Sequence, residues 1–78
     1  MDAKQFVENL ARALVDNPEQ VVVSEVAGEK ISVIELRVAK EDMGKVIGKQ
    51  GKNAKAIRAI LSAASAKLHK RTVMEIIE

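Results

Sequence analysis

The sequence has no cysteine, tryptophan or tyrosine, and only one phenylalanine, one proline and one histidine among 78 residues. Without cysteine there is no disulfide and no thiolate metal site. His69 stands alone, and no nucleophile–base pair is visible elsewhere, so neither catalysis nor a metal or cofactor is expected. No apolar run approaches the ~18 residues of a membrane span. Met1-Asp2-Ala3-Lys4-Gln5 lacks the basic-then-apolar pattern of an export signal. A cytoplasmic protein that does not engage membranes is the expectation.

Acidic residues are missing from one long stretch, between Asp42 and Glu75. Residues 1–42 carry five Lys/Arg and nine Asp/Glu, a balance of −4, whereas residues 43–78 carry eight and two, a balance of +6. The two halves sum to the net +2 of the chain. Such asymmetry points to a polyanion bound by the second half; a solvated basic helix face is the plainer alternative.

What is present suits a folded chain: 47% hydrophobic and 31% charged residues, enough for a single domain over residues 1–78 with one modest core. Asp2 and Gln5 open a helix that Asp16-Asn17-Pro18 ends near residue 15. In it Phe6, Leu10, Ala13 and Leu14 recur at helical spacing, with Val7 and Ala11 on the flank. Gln20–Ala27, with Val21, Val22, Val23 and Val26, reads as a strand, Gly28-Glu29 as a hairpin turn and Ile31–Ala39 as a second strand. On that second strand Ile34, Leu36 and Val38 share the face expected to meet helices. The polar break Lys40-Glu41-Asp42 puts acids at a helix start. A short helical turn over Met43–Ile47 follows, then a long helix from near Gly51 to about Leu68, and a last strand over Thr72–Ile77. The order α-β-β-α-α-β implies an α+β fold with the helices on one face of a three-stranded sheet.

The long helix is apolar over more of its circumference than one packing face requires. Its main stripe is Ala54, Ile57, Leu61, Ala64 and Leu68; beside it run Ala56, Ile60 and Ala63, with Ala59 and Ala66 adjoining. Only Lys55, Arg58, Ser62 and Ser65 form a polar sector. Ala56, Ala59, Ile60 and Ala63 are therefore candidates to meet a partner helix in a homodimer. A more deeply buried helix, or alanine used for its helix propensity, is the alternative.

The remaining feature is Val46-Ile47-Gly48-Lys49-Gln50-Gly51-Lys52-Asn53. Two glycines three apart enclose a lysine and a glutamine where a helix is about to begin. Glycine lets another molecule approach the main chain, and the unpaired N–H groups of the helix start favour an anion. A nucleotide-binding P-loop does not fit: three residues separate Gly44 from Gly48, and Gln50 stands where Ser or Thr would hold magnesium. The dinucleotide fingerprint does not fit either, because Val46 stands two residues before Gly48. A tight helix–helix corner would need the glycines, but neither Lys49 nor an acid-free second half.

This stretch, placed between two helices, after a β-hairpin and before the Ala54/Ile57 spacing, resembles the KH domain. The element order resembles its type II form, found in bacterial ribosomal and Era-like proteins. The resemblance covers essentially the whole chain, whose length is similar to that of the small stand-alone bacterial RNA-binding proteins of the YlqC family. It implies single-stranded RNA as ligand, with the loop clamping about four nucleotides. Gly48, Lys49, Gln50, Gly51 and Lys52 would then meet the sugar-phosphate backbone, and Lys45 and Arg58 would add attraction. Val46, Ile47, Ala54, Ile57, Val73 and Met74 would form the base groove. Ala54 is smaller than the residue many KH domains carry there, and Phe6 is the only aromatic, so a shallow groove with weak stacking and poor sequence discrimination is implied. An RNA chaperone or post-transcriptional regulator follows as the role. The resemblance further implies homodimers, and heteromers with a larger KH-containing bacterial protein linked to cell elongation and division. From that comes the alternative reading, a protein-interaction module whose contact with RNA is secondary.

Overall fold

The computed structural model describes residues 2–68 and 70–78. The expectations for His69 and for the Leu68 side chain lie outside the described residues. Helix α1 (Ala3–Leu14) begins where Asp2 Oδ1 accepts the Gln5 N–H at 2.8 Å, a side-chain cap for an otherwise unpaired donor. It stops at Leu14, and Pro18 then opens a single 3-10 turn over Pro18–Gln20, where its missing N–H is not needed. That turn delays strand β1 to Val22–Ala27, two residues later than the expected start at Gln20. Three residues, Gly28–Lys30, rather than two, connect it to β2 (Ile31–Arg37), and the Gly28 N–H closes the turn on the Ile31 carbonyl at 2.8 Å.

Strand β2 is central. It pairs antiparallel with β1, from Val22↔Arg37 to Ala27↔Ser32, and parallel with β3 (Arg71–Ile77), from Ile31↔Arg71 to Arg37↔Ile77. A parallel pair needs a crossover, and helices α2 (Met43–Ile47) and α3 (Lys52–Leu68) provide it. The architecture is the expected α-β-β-α-α-β order.

Alternation along the strands sends Val23, Ile34, Leu36 and Met74 to one face, where they meet Val7 and Ala11 of α1, Val46 of α2, and Ile57 and Leu61 of α3. Ile34 and Leu36 are wholly buried, and each contributes about 1.5–3 kcal/mol relative to exposure. Helix α1 is rotated from the expected orientation. Val7 and Ala11 form its buried line, Phe6, Leu10 and Leu14 are only half-buried, and Ala13 is exposed. Small side chains at the contact let the helix axis sit close to the sheet, which pushes the bulkier residues to its flanks. The other sheet face stays open, with Val22, Val26 and Ile31 exposed on it.

Asp42 departs from the sequence reading most clearly. It makes no cap bond to α2; its carboxylate is fully buried and accepts the backbone N–H groups of Asp16 (3.3 Å) and Asn17 (3.0 Å) and the Asn17 Nδ2 (2.9 Å). The α1–β1 connection is thereby tied to the start of α2. Burial disfavours the charge, but these three donors and nearby Lys45 outweigh it, and the carboxyl titrates below its ordinary value. Among the described residues no helix is long and apolar enough to cross a membrane, and no group of three or more His, Cys, Asp or Glu could hold a metal.

Candidate nucleic-acid interface

The loop between α2 and α3 is a single 3-10 turn, Lys49–Gly51, capped by Gly48, and three of the four residues 48–51 have positive φ: Gly48 (78°), Gln50 (59°) and Gly51 (76°). Two short backbone bonds shape it, Gly48 N–H to the Gly44 carbonyl (2.8 Å) and Gly51 N–H to the Gly48 carbonyl (3.0 Å). Asn53, in the first turn of α3, reaches back over the loop and donates Nδ2 to the Lys45 carbonyl at 2.8 Å. Side chains of a helix point toward its N-terminus, which puts Asn53 within reach of the last turn of α2. The result is a bend held from both sides, with Lys49 and Gln50 exposed at its tip.

Among the described residues Lys49, Lys52 and Lys55 form no ion pair, and all three are exposed. Lys45 is placed differently from the expectation. Its ammonium lies 3.0 Å from Asp16 Oδ2 and 3.7 Å from Asp42 Oδ1, so its charge is already met by carboxylates. Hydrogen bonding to Asp16, reinforced by that carboxylate's charge, holds its pKa above the usual lysine value. Arg58, exposed on α3, donates Nε to the Met74 carbonyl in a long bond of 3.4 Å.

A cleft of about 290 Å³ starts at the loop and runs between α3 and β3, lined by Met43, Ile47, Gly51, Ala54, Lys55, Arg58, Ile76 and Glu78. Of the six expected groove residues, Ile47 and Ala54 line this cleft; Ile47 is 37% exposed, and buried Ala54 closes the floor. Val46 and Ile57 are instead buried in the core and support the groove from behind, while Met74, also buried, borders the other end of the α3–β3 seam. Val73 is half-buried and alternates to the opposite face of β3, but as a residue of this edge strand it still borders the far end of the α3–β3 seam. The stripe on α3 and the α2 turn are both amphipathic, and sequence periodicity does not say which member of such a stripe reaches the rim. Met43 and Ile76, which also line the cleft, and Asn53 are not among the residues the sequence singles out for the site. The period-2 pattern Thr72, Met74, Ile76 could have found Ile76, whereas no sequence signal marks Asn53.

Chemically, the site offers exposed main chain at a bend, unpaired ammonium groups beside it, and an aliphatic trough without an aromatic ring. That set suits a flexible polyanion whose bases rest on aliphatic side chains.

Comparison with known proteins gives the same direction. The family model described as "KhpA/KhpB, KH domain" matches residues 4–76. The RNA-binding protein KhpA of Clostridium acetobutylicum is 60% identical over 74 residues, covering 95% of this chain and 99% of that protein. The RNA-binding protein KhpA of Aquifex aeolicus is 55% identical (96% and 95% covered) and that of Treponema pallidum 45% (96% and 94%). No solved structure gives a significant match. With the family match spanning nearly every residue and placing the Gly48–Gly51 bend inside it, the chain belongs to the KhpA/KhpB family of KH domains.

Proposed function

We propose that this chain is a non-catalytic single-stranded RNA-binding protein of low sequence specificity, acting in the cytoplasm as an RNA chaperone or post-transcriptional regulator. The observation that carries the reading is the exposed Lys49–Gln50 tip on a glycine-flanked bend, opening directly onto the α3–β3 cleft. The names of the relatives support it, since each is an RNA-binding protein. Gly48 lets the bend form beneath Asn53 and Gly51 admits the strand, the Lys49 and Gln50 N–H groups and the Lys49 and Lys52 ammonium groups take phosphates, and bases lie against Ile47, Ala54 and Ile76. Lys45 acts mainly by fixing α2 to the α1–β1 connection. If roughly three phosphates are neutralised, log affinity falls with log salt at a slope near −2.

The test is the double variant Lys49→Asp/Gln50→Asp. Both side chains are exposed, so the fold survives and RNA binding is lost; a folded double variant that still retained RNA would defeat the reading. A second reading is favoured by one further observation. Ile60 is 49% exposed in a row with exposed Ala56, Ala59 and Ala63, which supports self-association through α3, or pairing there with a larger KH-containing protein. In that case the domain works chiefly as an interaction module and RNA contact is secondary.

A further inference from the structure

The sheet face turned away from the helices is apolar along one row and charged on either side of it. Val26 of β1 pairs with Val33 of β2, and Val33 with Val73 of β3, so three valines stand side by side across the open face. Val26 is 59% exposed and Ile31, two residues before Val33, is 48% exposed. One row along the strands, Glu35 and Glu75 are direct cross-strand partners, which places two carboxylates next to each other. Like charges so placed oppose each other. Ser24 Oγ donates to Glu35 Oε1 at 3.3 Å, and among the described residues no cation pairs with either carboxylate. On the other side of the valines stands Arg71, partner of Ile31 across the strands, exposed and also without an ion pair among the described residues. Charge on this face is therefore opposite on the two sides of the valine row: Arg71 lies two residues before Val73, and Glu75 two residues after it.

We infer that the open face docks a second copy of the chain, turned over about a two-fold axis that runs along the Val26–Val33–Val73 row. The two sheets stack with strands antiparallel to within about 30° and roughly 10 Å apart. Valine then meets valine at the centre, and Arg71 of each copy lies over the Glu35–Glu75 pair of the other, which relieves the like-charge pairing twice. The face measures roughly 10 Å across its three strands and 13 Å from Ile31 to Glu35, far smaller than a standard interface, so the contact is weak alone and gains when copies share one RNA. It lies on the opposite side of the sheet from α3, and so is separate from the Ile60 row. Copies joined through both faces would set several loops along one strand.

Arg71 and Val73 also border the α3–β3 seam, so the experiment reads association without RNA. The chain has no cysteine, and a single introduced thiol reports which positions meet. Under mild oxidation Val33→Cys, on the axis, forms disulfide-linked dimers many-fold faster than Val22→Cys, which is 56% exposed but lies off the axis. Arg71→Glu added to Val33→Cys slows that crosslinking several-fold, although it takes the net charge from +2 to 0 and so favours random collision. Glu75→Arg slows it likewise. An equimolar mixture of these two proteins regains the rate and yields chiefly mixed dimers, because each copy supplies the charge the other lacks. Circular dichroism checks that every variant is folded, and sedimentation without oxidant ranks the charge variants and their mixture in the same order. Val22→Cys crosslinking as fast as Val33→Cys, charge reversals without effect, or a mixture no faster than its components would overturn the docking surface and leave the RNA-binding reading untouched.

Discussion

Asn53 passes so close over Gly48 that a Cβ at residue 48 would lie 2.8 Å from both the backbone nitrogen and Cγ of Asn53. The same Asn53 amide closes the last turn of α2 through the Lys45 carbonyl. The glycine is therefore required twice, by its φ of 78° and by the residue above it. Gly48→Ala adds the left-handed penalty to a steric overlap, and we expect it to lower stability by about 2 kcal/mol or more. Gly44 gives the contrast: it is helical and nothing lies within 4 Å of its absent Cβ, so Gly44→Ala should raise stability by roughly 0.5–1 kcal/mol. Urea titration of both variants checks the pair; shifts of the same sign would refute the account.

Gln50 is the only described non-glycine residue with positive φ (59°), and it sits at the exposed tip of the bend. A branched Cβ tolerates that backbone worst, so Gln50→Val should cost about 1–2 kcal/mol. Gln50→Gly relieves the strain and should be neutral or slightly stabilising. If the Gln50 main-chain N–H is what meets phosphate, Gln50→Gly also retains RNA affinity. A loss of binding in the stable glycine variant would show that the side chain itself is needed.

The Asp42–Lys45 pair gives a pH signature. Asp42 titrates below its ordinary value when folded, so its contribution is present above the unfolded pKa and is lost as pH falls through the folded one. Lys45 titrates above its ordinary value, so its contribution is present below the unfolded pKa and disappears as pH rises through the folded one. Thermal midpoints should therefore fall at both the acid and the alkaline end. Asp42→Asn should flatten the acid limb. It should also lower stability at neutral pH, because it leaves the Asp16 and Asn17 donors facing an amide rather than a carboxylate. An unchanged acid limb in that variant would assign the effect to other carboxylates.

Most of this architecture is legible from residue order. The valine runs, Pro18, the Ile34/Leu36 alternation and the alanine-rich helix give the elements within a residue or two, because each is a local signal. The bend is legible for the same reason, since Gly48 and Gly51 advertise it. What escapes is set by packing between distant segments. Asp42 looks like a helix-start acid until α1 and β1 bring Asp16 and Asn17 to it, 25 or 26 residues away in sequence. Lys45 looks like a free cation until Asp16 comes to meet it. Val46, Ile57 and Met74 are as apolar as Ile47 and Ile76, and only the depth of the fold separates core from rim.

The exposed row on α3 yields the last prediction. Ile60 borders a cleft of about 300 Å³ with Phe6, Leu61, Ala64 and Lys67, and the adjoining Ala56, Ala59 and Ala63 are small enough for a second helix to approach closely. Because Ile60 contributes little to the core, Ile60→Lys should leave the fold intact and change stability by no more than about 0.5 kcal/mol. If two copies meet across this row, the lysine leaves an unpaired charge in an apolar contact, and sedimentation should shift from dimer toward monomer. Affinity for a short oligoribonucleotide should stay the same, since the loop lies elsewhere. Affinity for a long RNA should drop, because two linked sites hold one strand more tightly than either alone. An unaltered sedimentation profile would remove this surface from consideration, and loss of short-oligomer binding would mean that the two surfaces are not independent.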